Sequence, residues 1–370
     1  MATLSGSRQI VGSRHGAFHP LTVAAVERLT DDAVALTFAV PDHLQDDYTF
    51  EPGQHLTLRS DVGDGEVRRT YSICSSAPSR RLRVAVKRLA GGAFSGHATS
   101  VLQVGDTIEV MTPSGRFTPR LDAEQARHYG AIAAGSGITP ILSIVASVLE
   151  VEPASRVSLV YGNRSAATVM FLDELAELKD RYPQRLHVVH VLSREPQDSE
   201  LLSGRLDQER LRRVLDALVP VETVDVWFLC GPQGLVEGAR EVLVGAGADP
   251  ATVHAELFHV EGEVPRPVAT VEEERAAGTS TVLVTLDGRR STVTVPRTGV
   301  RVLDAVLAVR ADAPYACKGG VCGTCRARVV TGEVDMARNY ALDVEEIAAG
   351  FVLACQAVPV SEAVELDFDA

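Results

Sequence analysis

Long apolar runs, dense cysteine and a basic excess are all missing from this 370-residue sequence. No segment approaches the roughly 18 to 20 apolar residues that a membrane span needs, and the first residues lack the apolar stretch of a secretory signal. Six cysteines are too few for a disulfide scaffold in a chain of this length. A net charge of −13 argues against broad binding to nucleic acid or anionic membrane. We therefore expect a cytoplasmic chain with neither nucleic acid nor membrane as a partner.

The first third of the sequence suggests short strands. Hydrophobic residues make up 45% of the chain, which is enough for several separate cores. Residues 1–18 are predicted to be a loose tail. Residues 19–122 contain five segments typical of strands, separated by Pro, Gly and Asp: LTVAAVERL, AVALTFAV, HLTLRS, RLRVAVKRL and TIEVM. This pattern predicts a domain built as a small antiparallel β-barrel.

Strands and helices alternate in the next region, residues 123–260. Apolar strand segments such as RVSLVYG and DVWFLCG are separated by amphipathic segments such as LDQERLRRVLDAL. The alternation predicts an α/β domain with a doubly wound parallel sheet. Residues 261–280 contain two prolines and five glutamates without periodicity, so we expect a linker there. In residues 281–370, VLVTL-DG-RRSTVTV predicts a hairpin and VLDAVLAV a short helix, together an α+β domain.

Four cysteines of the last domain have a spacing that indicates a metal cluster. Cys317-x4-Cys322-x2-Cys325, followed at a distance by Cys355, is the spacing of plant-type [2Fe–2S] ferredoxins. Three thiolates on one tight loop and a fourth on a returning segment can converge on two irons. Glycines in the loop accept positive φ and let backbone amides approach sulfur; they stand at positions 319, 320 and 323. The alternative is structural zinc, which usually uses two short knuckles.

The barrel region carries residue types suited to a flavin. In Arg69-x-Tyr71-Ser72, arginine can neutralise a pyrophosphate, tyrosine can stack on a planar ring, and a serine hydroxyl can reach a ring nitrogen. Gly91-Gly92-x-x-Ser95 follows some twenty residues later. Taken alone, an Arg-x-Tyr pair is more often a surface charge beside a packed ring.

The α/β region carries a glycine-rich turn and an arginine at a strand end. AAGSGITP, residues 133–140, joins a strand to a helix and exposes backbone amides to a phosphate. It differs from the G-x-G-x-x-G fingerprint and by itself is often only a tight turn. VLSRE, residues 191–195, places an arginine where a dianionic adenosine 2′-phosphate would require one. The alternative for VLSRE is an ordinary capped helix start.

These motifs, in this order, resemble the ferredoxin–NADP⁺ reductase superfamily with a C-terminal ferredoxin domain of β-grasp fold. The resemblance implies FAD rather than FMN, with Tyr71 against the isoalloxazine ring, Ser72 near N5, and Arg69, Gly92 and Ser95 at the phosphates. It implies NADPH contacts at the following positions: Gly135, Gly137, Thr139, Pro140, Gly231, Ser193 and Arg194, with Arg164 as a second candidate for the 2′-phosphate.

The same resemblance implies the residues at the hydride-transfer site. Ser72, Cys230 and Glu256 would line the contact between nicotinamide and flavin, and Phe258 would cover the flavin face. Because the chain continues past Phe258, that residue is also a candidate for plain core packing. Cys230 has an alternative as a small buried hydrophobe, and for Cys74 that is the expected role.

The three modules together predict an electron-transfer enzyme. NADPH gives two electrons as hydride, a [2Fe–2S] cluster accepts one at a time, and a flavin can hold the second electron. We therefore predict hydride transfer to flavin, followed by single-electron steps to the cluster and then to an external acceptor.

The acceptor is predicted from a narrower likeness that covers nearly the whole chain. The cysteine-loop segment, YGNRS, VLSRE and SGRLD resemble the reductase subunits of bacterial phenylacetyl-CoA epoxygenases. That family passes electrons to a diiron oxygenase component, which epoxidises phenylacetyl-CoA in aerobic phenylacetate catabolism. No paired Glu-x-x-His pattern of a diiron bundle occurs in this sequence, so an oxygenase partner is expected. Two alternatives remain: a reductase for another mono- or dioxygenase, including Rieske systems, and a zinc-containing binding protein.

Overall fold

The structure, a computed structural model, describes residues 17–62, 65–259 and 278–370. The predicted tail therefore lies almost wholly outside the described residues, and so does most of the predicted linker. The strand that opens the last domain begins at Thr279, within the range predicted as linker. No helix in the described ranges is both long and apolar enough to cross a bilayer.

Six antiparallel strands form the first sheet, in the order β4-β3-β6-β1-β2-β5. Their bounds are β1 Phe18–Thr30, β2 Ala33–Ala39, β3 His55–Asp61, β4 Glu66–Ser72, β5 Arg83–Lys87 and β6 Thr107–Met111, with helix α1 at Ala93–Ser100. An isolated bridge between Ile73 and Val84 joins the two edges of the sheet. The sheet thus closes into the predicted barrel around a core that includes Leu21, Leu36 and Leu56.

Five parallel strands form the second sheet, in the order β11-β10-β7-β8-β9. The strands are β7 His128–Ala134, β8 Arg156–Asn163, β9 Leu186–Leu192, β10 Val226–Pro232 and β11 Val253–His259. The helices are α2 Ile138–Val151, α3 Leu172–Arg181, α4 Gln208–Leu218 and α5 Gln233–Gly245. Apolar clusters cover both faces of the sheet, as the strand and helix alternation predicts. The strand order reverses between β7 and β10, and such a switch point is where ligands bind in open α/β sheets.

The third sheet is mixed, in the order β13-β12-β18-β14-β16, beside a two-stranded ribbon of β15 and β17. Its elements are β12 Thr279–Leu286, β13 Arg289–Pro296, α6 Val302–Val309, β14 Arg326–Thr331, β15 Val334–Met336, α7 Val344–Ala348, β16 Phe351–Leu353, β17 Ala357–Pro359 and β18 Ala363–Asp367. Asp287 and Gly288 both have positive φ, 51° and 68°. A tight hairpin turn requires this conformation, and the Asp-Gly pair predicts it.

The barrel and the parallel sheet share one apolar core. Ala35, Cys74 and Ala85 of the barrel belong to the same buried cluster as the residues of α2. Arg83, only 3% exposed, donates hydrogen bonds of 2.9 and 2.8 Å to both carboxyl oxygens of Glu174 on α3. A bidentate pair with a buried guanidinium, together with the shared core, holds these two domains in one fixed arrangement.

Candidate flavin, nucleotide and cluster site

A cavity of about 930 Å³ lies where the barrel, the parallel sheet and the cysteine loop meet. Strand β4 forms one wall, and the loops after β7, β8, β9 and β10 form another at the switch point of the sheet. The cavity brings together twelve of the predicted site residues: Arg69, Tyr71, Ser72, Gly135, Thr139, Arg164, Ser193, Gly231, Glu256, Phe258, Cys317 and Cys322. Three domains that the sequence predicts separately therefore contribute to one site.

The other predicted residues stand outside the cavity wall: Gly92, Ser95, Gly137, Pro140, Arg194, Cys230, Cys325 and Cys355. Ser95 is buried, and its hydroxyl donates to the carbonyl of Gly92 and accepts from the amide of Leu89, which does line the cavity. Its hydroxyl therefore fixes the turn into α1, and its predicted contact with a phosphate stays a prediction.

Two residues of the predicted flavin motif, Arg69 and Tyr71, lie on β4. Arg69 lines the cavity, and its guanidinium donates only to the carbonyl of Arg68, so within the described residues it has no carboxylate partner. An arginine in this state suits a pyrophosphate. Tyr71 packs against Phe94 with ring centroids 5.6 Å apart, and burial raises the pKa of Tyr71. A neutral phenol ring beside a free guanidinium fits the flavin that the sequence predicts.

Glu256 reaches into the same cavity from β11 and meets two barrel residues. The hydroxyl of Ser72 donates to Oε2 of Glu256 at 3.4 Å, and Nδ1 of His55 lies 4.0 Å from Oε1. Burial raises the pKa of Glu256 to about 8 and lowers that of His55 to about 4. Both side chains are therefore uncharged at neutral pH, so their contact is not an ion pair. A protonated carboxyl group thus stands beside the hydroxyl predicted to lie near flavin N5.

His55 is a site residue that sequence reasoning missed. It stands in EPGQHLTL, opens β3 and is 4% exposed, with Nε2 3.2 Å from the hydroxyl of Ser114. Gly115 leaves room for the ring, since a Cβ there would lie 2.9 Å from Nδ1 of His55. Only the pairing of β3 with β4 and of domain with domain brings His55 to Glu256, and no local sequence pattern reports that.

The two loops at the switch point touch through backbone. A Cβ on Gly137 would lie 2.2 Å from the carbonyl oxygen of Cys230, so only glycine permits this approach. Gly135 adopts a φ of 53°, and its carbonyl accepts a hydrogen bond from the hydroxyl of Tyr161 at 2.9 Å. AAGSGITP and the CGP segment that begins at Cys230 therefore lie side by side at the switch point, where the nucleotide is predicted to bind.

The residues predicted for the 2′-phosphate differ in their placement. Ser193 and Arg164 line the cavity, and Arg164 also forms a 3.6 Å salt bridge with Asp32 of the barrel. Arg205, which was not predicted from the sequence, lines the cavity as well and has no salt bridge within the described residues. Arg194 approaches only through its amide, which donates to the carbonyl of Arg164 at 2.7 Å. Arg205 stands in the segment SGRLD, which was the available signal.

The four cysteines form two pairs. A hydrogen bond from the thiol of Cys322, aided by backbone amides, lowers the pKa of Cys317 to about 5. The amide of Gly319 is one of these donors, 3.3 Å from the sulfur. In the second pair, the thiol of Cys325 donates to Cys355 and lowers the pKa of Cys355. Amide donors around sulfur stabilise thiolates, the form that binds metal.

This pairing distinguishes the two metal centres that the sequence allows. A structural zinc requires four ligands around one point. Two thiol pairs fit two irons, each with two protein thiolates. Cys317 and Cys322 line the shared cavity, so that pair faces the flavin-binding strand.

Phe258 lies both at the cavity, as its predicted flavin contact requires, and against the apolar core, as its alternative role requires. It lines the cavity near the end of β11, and it also packs against the apolar core that the barrel shares with the parallel sheet. A side chain held by that core can border a ring site from one side. Its predicted role in covering the flavin stays a prediction.

Comparison with known proteins agrees with this division into three domains. Residues 20–118 match the oxidoreductase FAD-binding domain family, residues 131–241 the oxidoreductase NAD-binding domain family, and residues 284–360 the 2Fe-2S iron-sulfur cluster binding domain family. These matches define the class: an NAD(P)H-dependent oxidoreductase with FAD and a [2Fe–2S] cluster as cofactors.

Similar proteins of nearly equal length narrow the class to a family. The chain is 45% identical to one of the subunits of 1,2-phenylacetyl-CoA epoxidase of Escherichia coli K12, over 95% of this chain and 98% of the relative. It is 38% identical to the ferredoxin reductase component of 3-ketosteroid-9-alpha-monooxygenase of Rhodococcus rhodochrous, over 98% of each. Phthalate dioxygenase reductase shares its fold with a TM-score of 0.58, 24% identity and coverage of 95% and 98%. The chain belongs to the family of this 1,2-phenylacetyl-CoA epoxidase subunit.

Proposed function

We propose that this chain is the NADPH-dependent reductase component of a multicomponent oxygenase whose diiron component epoxidises phenylacetyl-CoA. The single observation that carries the proposal is the 45% identity, over nearly the whole of both chains, to the epoxidase subunit of Escherichia coli. When bound, the flavin accepts hydride from the nicotinamide and the cluster carries single electrons onward. A cytoplasmic location goes with this proposal.

The chain's own residues would prepare the transfer by orientation. Tyr71 and Arg69 would hold the flavin ring and phosphates, while the Gly137 and Cys230 loops would hold the nicotinamide at the switch point. Binding contacts remote from the reacting atoms bring the two rings into a reactive geometry. Ser72 and the protonated Glu256 would border the reacting edge and keep it free of a buried negative charge.

An acidic segment supports a protein acceptor. Residues 339–370 contain seven acidic residues and no Lys or Arg. Glu346 is buried, and arginines from other segments pair with four of the seven, namely Asp343, Glu346, Glu362 and Glu365. The charge that would steer a basic docking surface on the oxygenase therefore comes mainly from Glu345, Asp367 and Asp369. The other explanation of these charges is an ordinary solvated face.

A second acceptor is favoured by one observation, the 38% identity over 98% of both chains to a reductase component of a ketosteroid monooxygenase. The test is reconstitution of the purified chain with each oxygenase, its substrate and NADPH. We expect NADPH-dependent product with the phenylacetyl-CoA component. Product only with the other oxygenase would contradict the proposed acceptor.

A further inference from the structure

The ferredoxin domain meets the barrel through a different kind of surface from the one between the barrel and the parallel sheet. Within the described residues, its core cluster contains only residues of its own domain, whereas the barrel and the parallel sheet share one core. Two arginines of the barrel contact it through polar groups and one aromatic ring. Interfaces of this polar kind are typical of transient association rather than permanent assembly.

The first arginine is Arg68 on β4. It is 6% exposed and pairs with Glu66 at 2.8 Å. Its Nη1 lies 3.5 Å from the carbonyl oxygen of Ala313, and its Cζ lies 4.3 Å from the ring centroid of Tyr315. A cation over an aromatic face is stabilising when both are shielded from water. Ala313 and Tyr315 stand four and two residues before Cys317 in the sequence, so Arg68 contacts the start of the cysteine loop.

The second arginine is Arg116, which follows β6. It forms salt bridges with Glu346, and with Asp343 at 3.5 Å. Both acidic residues form the capping box of α7. The turn just before α7 is tied to the cysteine loop, because the amide of Tyr340 donates to the carbonyl of Gly320 at 3.1 Å. Arg116 therefore contacts the segment that follows the cysteine loop and acts on the loop indirectly, through α7 and the turn at Tyr340.

We propose that Arg68 and Arg116 are positioning residues that hold the cysteine loop against the flavin-binding cavity. The proposal rests on the electron path from flavin to cluster and names the side chains that set its geometry. Arg68 is buried and fixes the approach, while the half-exposed Arg116 forms ion pairs that salt weakens. Because the described residues give the ferredoxin domain no apolar core in common with the barrel, the contact can open and leave the cluster accessible to an external acceptor.

The test compares Arg68→Met and Arg116→Gln with a matched control, Arg59→Met. Arg59 likewise lies over an aromatic ring, with Cζ 4.2 Å from the centroid of Phe18, and its carboxylate partners, Glu109 and Glu66, both belong to the barrel. Because Glu66 also pairs with Arg68, this control shows what the loss of a Glu66 partner does by itself. Anaerobic rapid mixing with NADPH follows flavin reduction and cluster reduction separately. We expect both variants to reduce flavin at the parental rate and to transfer electrons to the cluster roughly 10- to 100-fold more slowly. Arg68→Lys, which keeps the cation, should recover part of the loss.

Two further readouts separate positioning from damage to the fold. Parental cluster reduction should slow with added salt, and Arg116→Gln should lose that dependence. Hydrogen exchange on the complete protein with its cofactors should show faster exchange at residues 311–317 in Arg68→Met but not in Arg59→Met. If Arg68→Met does not fold, Tyr315→Leu tests the same contact from the other domain. Cluster reduction and loop exchange equal to those of Arg59→Met would overturn the proposal, while normal flavin reduction would leave the proposed function intact.

Discussion

The hydroxyl of Ser72 donates a hydrogen bond of 3.4 Å to Oε2 of Glu256, although the two residues stand 184 positions apart in different domains. This contact exists because the barrel and the parallel sheet share a core. The carboxyl group beside it faces the cavity and keeps 17% exposure, yet burial raises its pKa to about 8. The consequence of that shift is measurable without any cofactor.

Replacement of Glu256 by Gln should change how stability depends on pH. A carboxyl group with a folded-state pKa near 8 and an ordinary unfolded value of 4.5 stabilises the fold below pH 4.5, and this contribution is lost as pH rises to 8. His55 opposes this below its unfolded pKa of 6.5, since its folded pKa is about 4. Between pH 6.5 and 8 the parent should therefore lose up to about 1.4 kcal/mol per pH unit relative to Glu256→Gln.

Thermal unfolding midpoints of the flavin-free proteins check this expectation. The exposed Glu222→Gln provides the control, because it removes a carboxylate without touching the cavity. If the unfolding midpoints of the parent and of Glu256→Gln change with pH in the same way between pH 6.5 and 8, Glu256 is already ionised in the folded protein and the expectation is contradicted.

Gly137→Ala should damage nucleotide binding and spare the flavin. The added Cβ would meet the backbone of Cys230 at 2.2 Å, so the two loops at the switch point must separate. We expect KM for NADPH to rise about 10-fold or more, because misplacement of about 1 Å is costly in a site that works by orientation. Steady-state kinetics and flavin content measure both effects. Gly245→Ala is the control, because a Cβ there meets open space, and this variant should behave as the parent. An unchanged KM for NADPH in Gly137→Ala would refute the close contact.

Preference for NADPH over NADH should depend more on Arg205 than on Arg194. Arg205 lines the cavity, whereas the predicted Arg194 does not. A charge-assisted contact with a phosphate supports a loss of about 10-fold in the ratio of kcat/KM for the two nucleotides in Arg205→Ala. The same ratio in Arg194→Ala should remain close to the parental one. A larger loss in Arg194→Ala would restore the prediction made from the sequence.

Cys355→Ser should remove the cluster and leave the flavin chemistry. Cys355 is paired with Cys325, so its loss deprives one iron of a thiolate. The iron and sulfide content should fall to background, while NADPH should still bleach the flavin. Cys74→Ala is the control: this cysteine lies in the core shared by the barrel and the parallel sheet, so the variant should keep its iron and sulfide. A Cys355→Ser protein with a full cluster would contradict the ligand assignment.

Features that depend on residues close together in the sequence could be predicted from sequence patterns. The Asp287-Gly288 turn and the helix over residues 302–309 depend on nearby residues, and the structure agrees with both. The cysteine spacing indicated a [2Fe–2S] domain, which the match of residues 284–360 to that domain family confirms, while the four ligands stay a prediction. Strand β4 carries the flavin motif, but its polar and charged residues gave no clear alternation, so its bounds were not predicted. The parallel sheet followed from strand and helix alternation, because buried strands need apolar residues on both faces.

Contacts between domains could not be predicted from the sequence. His55 meets Glu256, and Arg68 meets Tyr315, only through the way whole domains pack. The same packing decides that Arg205 lines the cavity and Arg194 does not. Periodicity and spacing report neighbours along the chain, and these pairs are separated by one or two folded units.

The measurement that tests the account most directly is anaerobic rapid mixing of the complete protein with NADPH, read at flavin and cluster wavelengths and by EPR of frozen samples. We expect flavin bleaching first and cluster reduction after it, with the second phase absent in Cys355→Ser. Cluster reduction without prior flavin bleaching, or a flavin that NADPH never reduces, would contradict the path from hydride to single electrons.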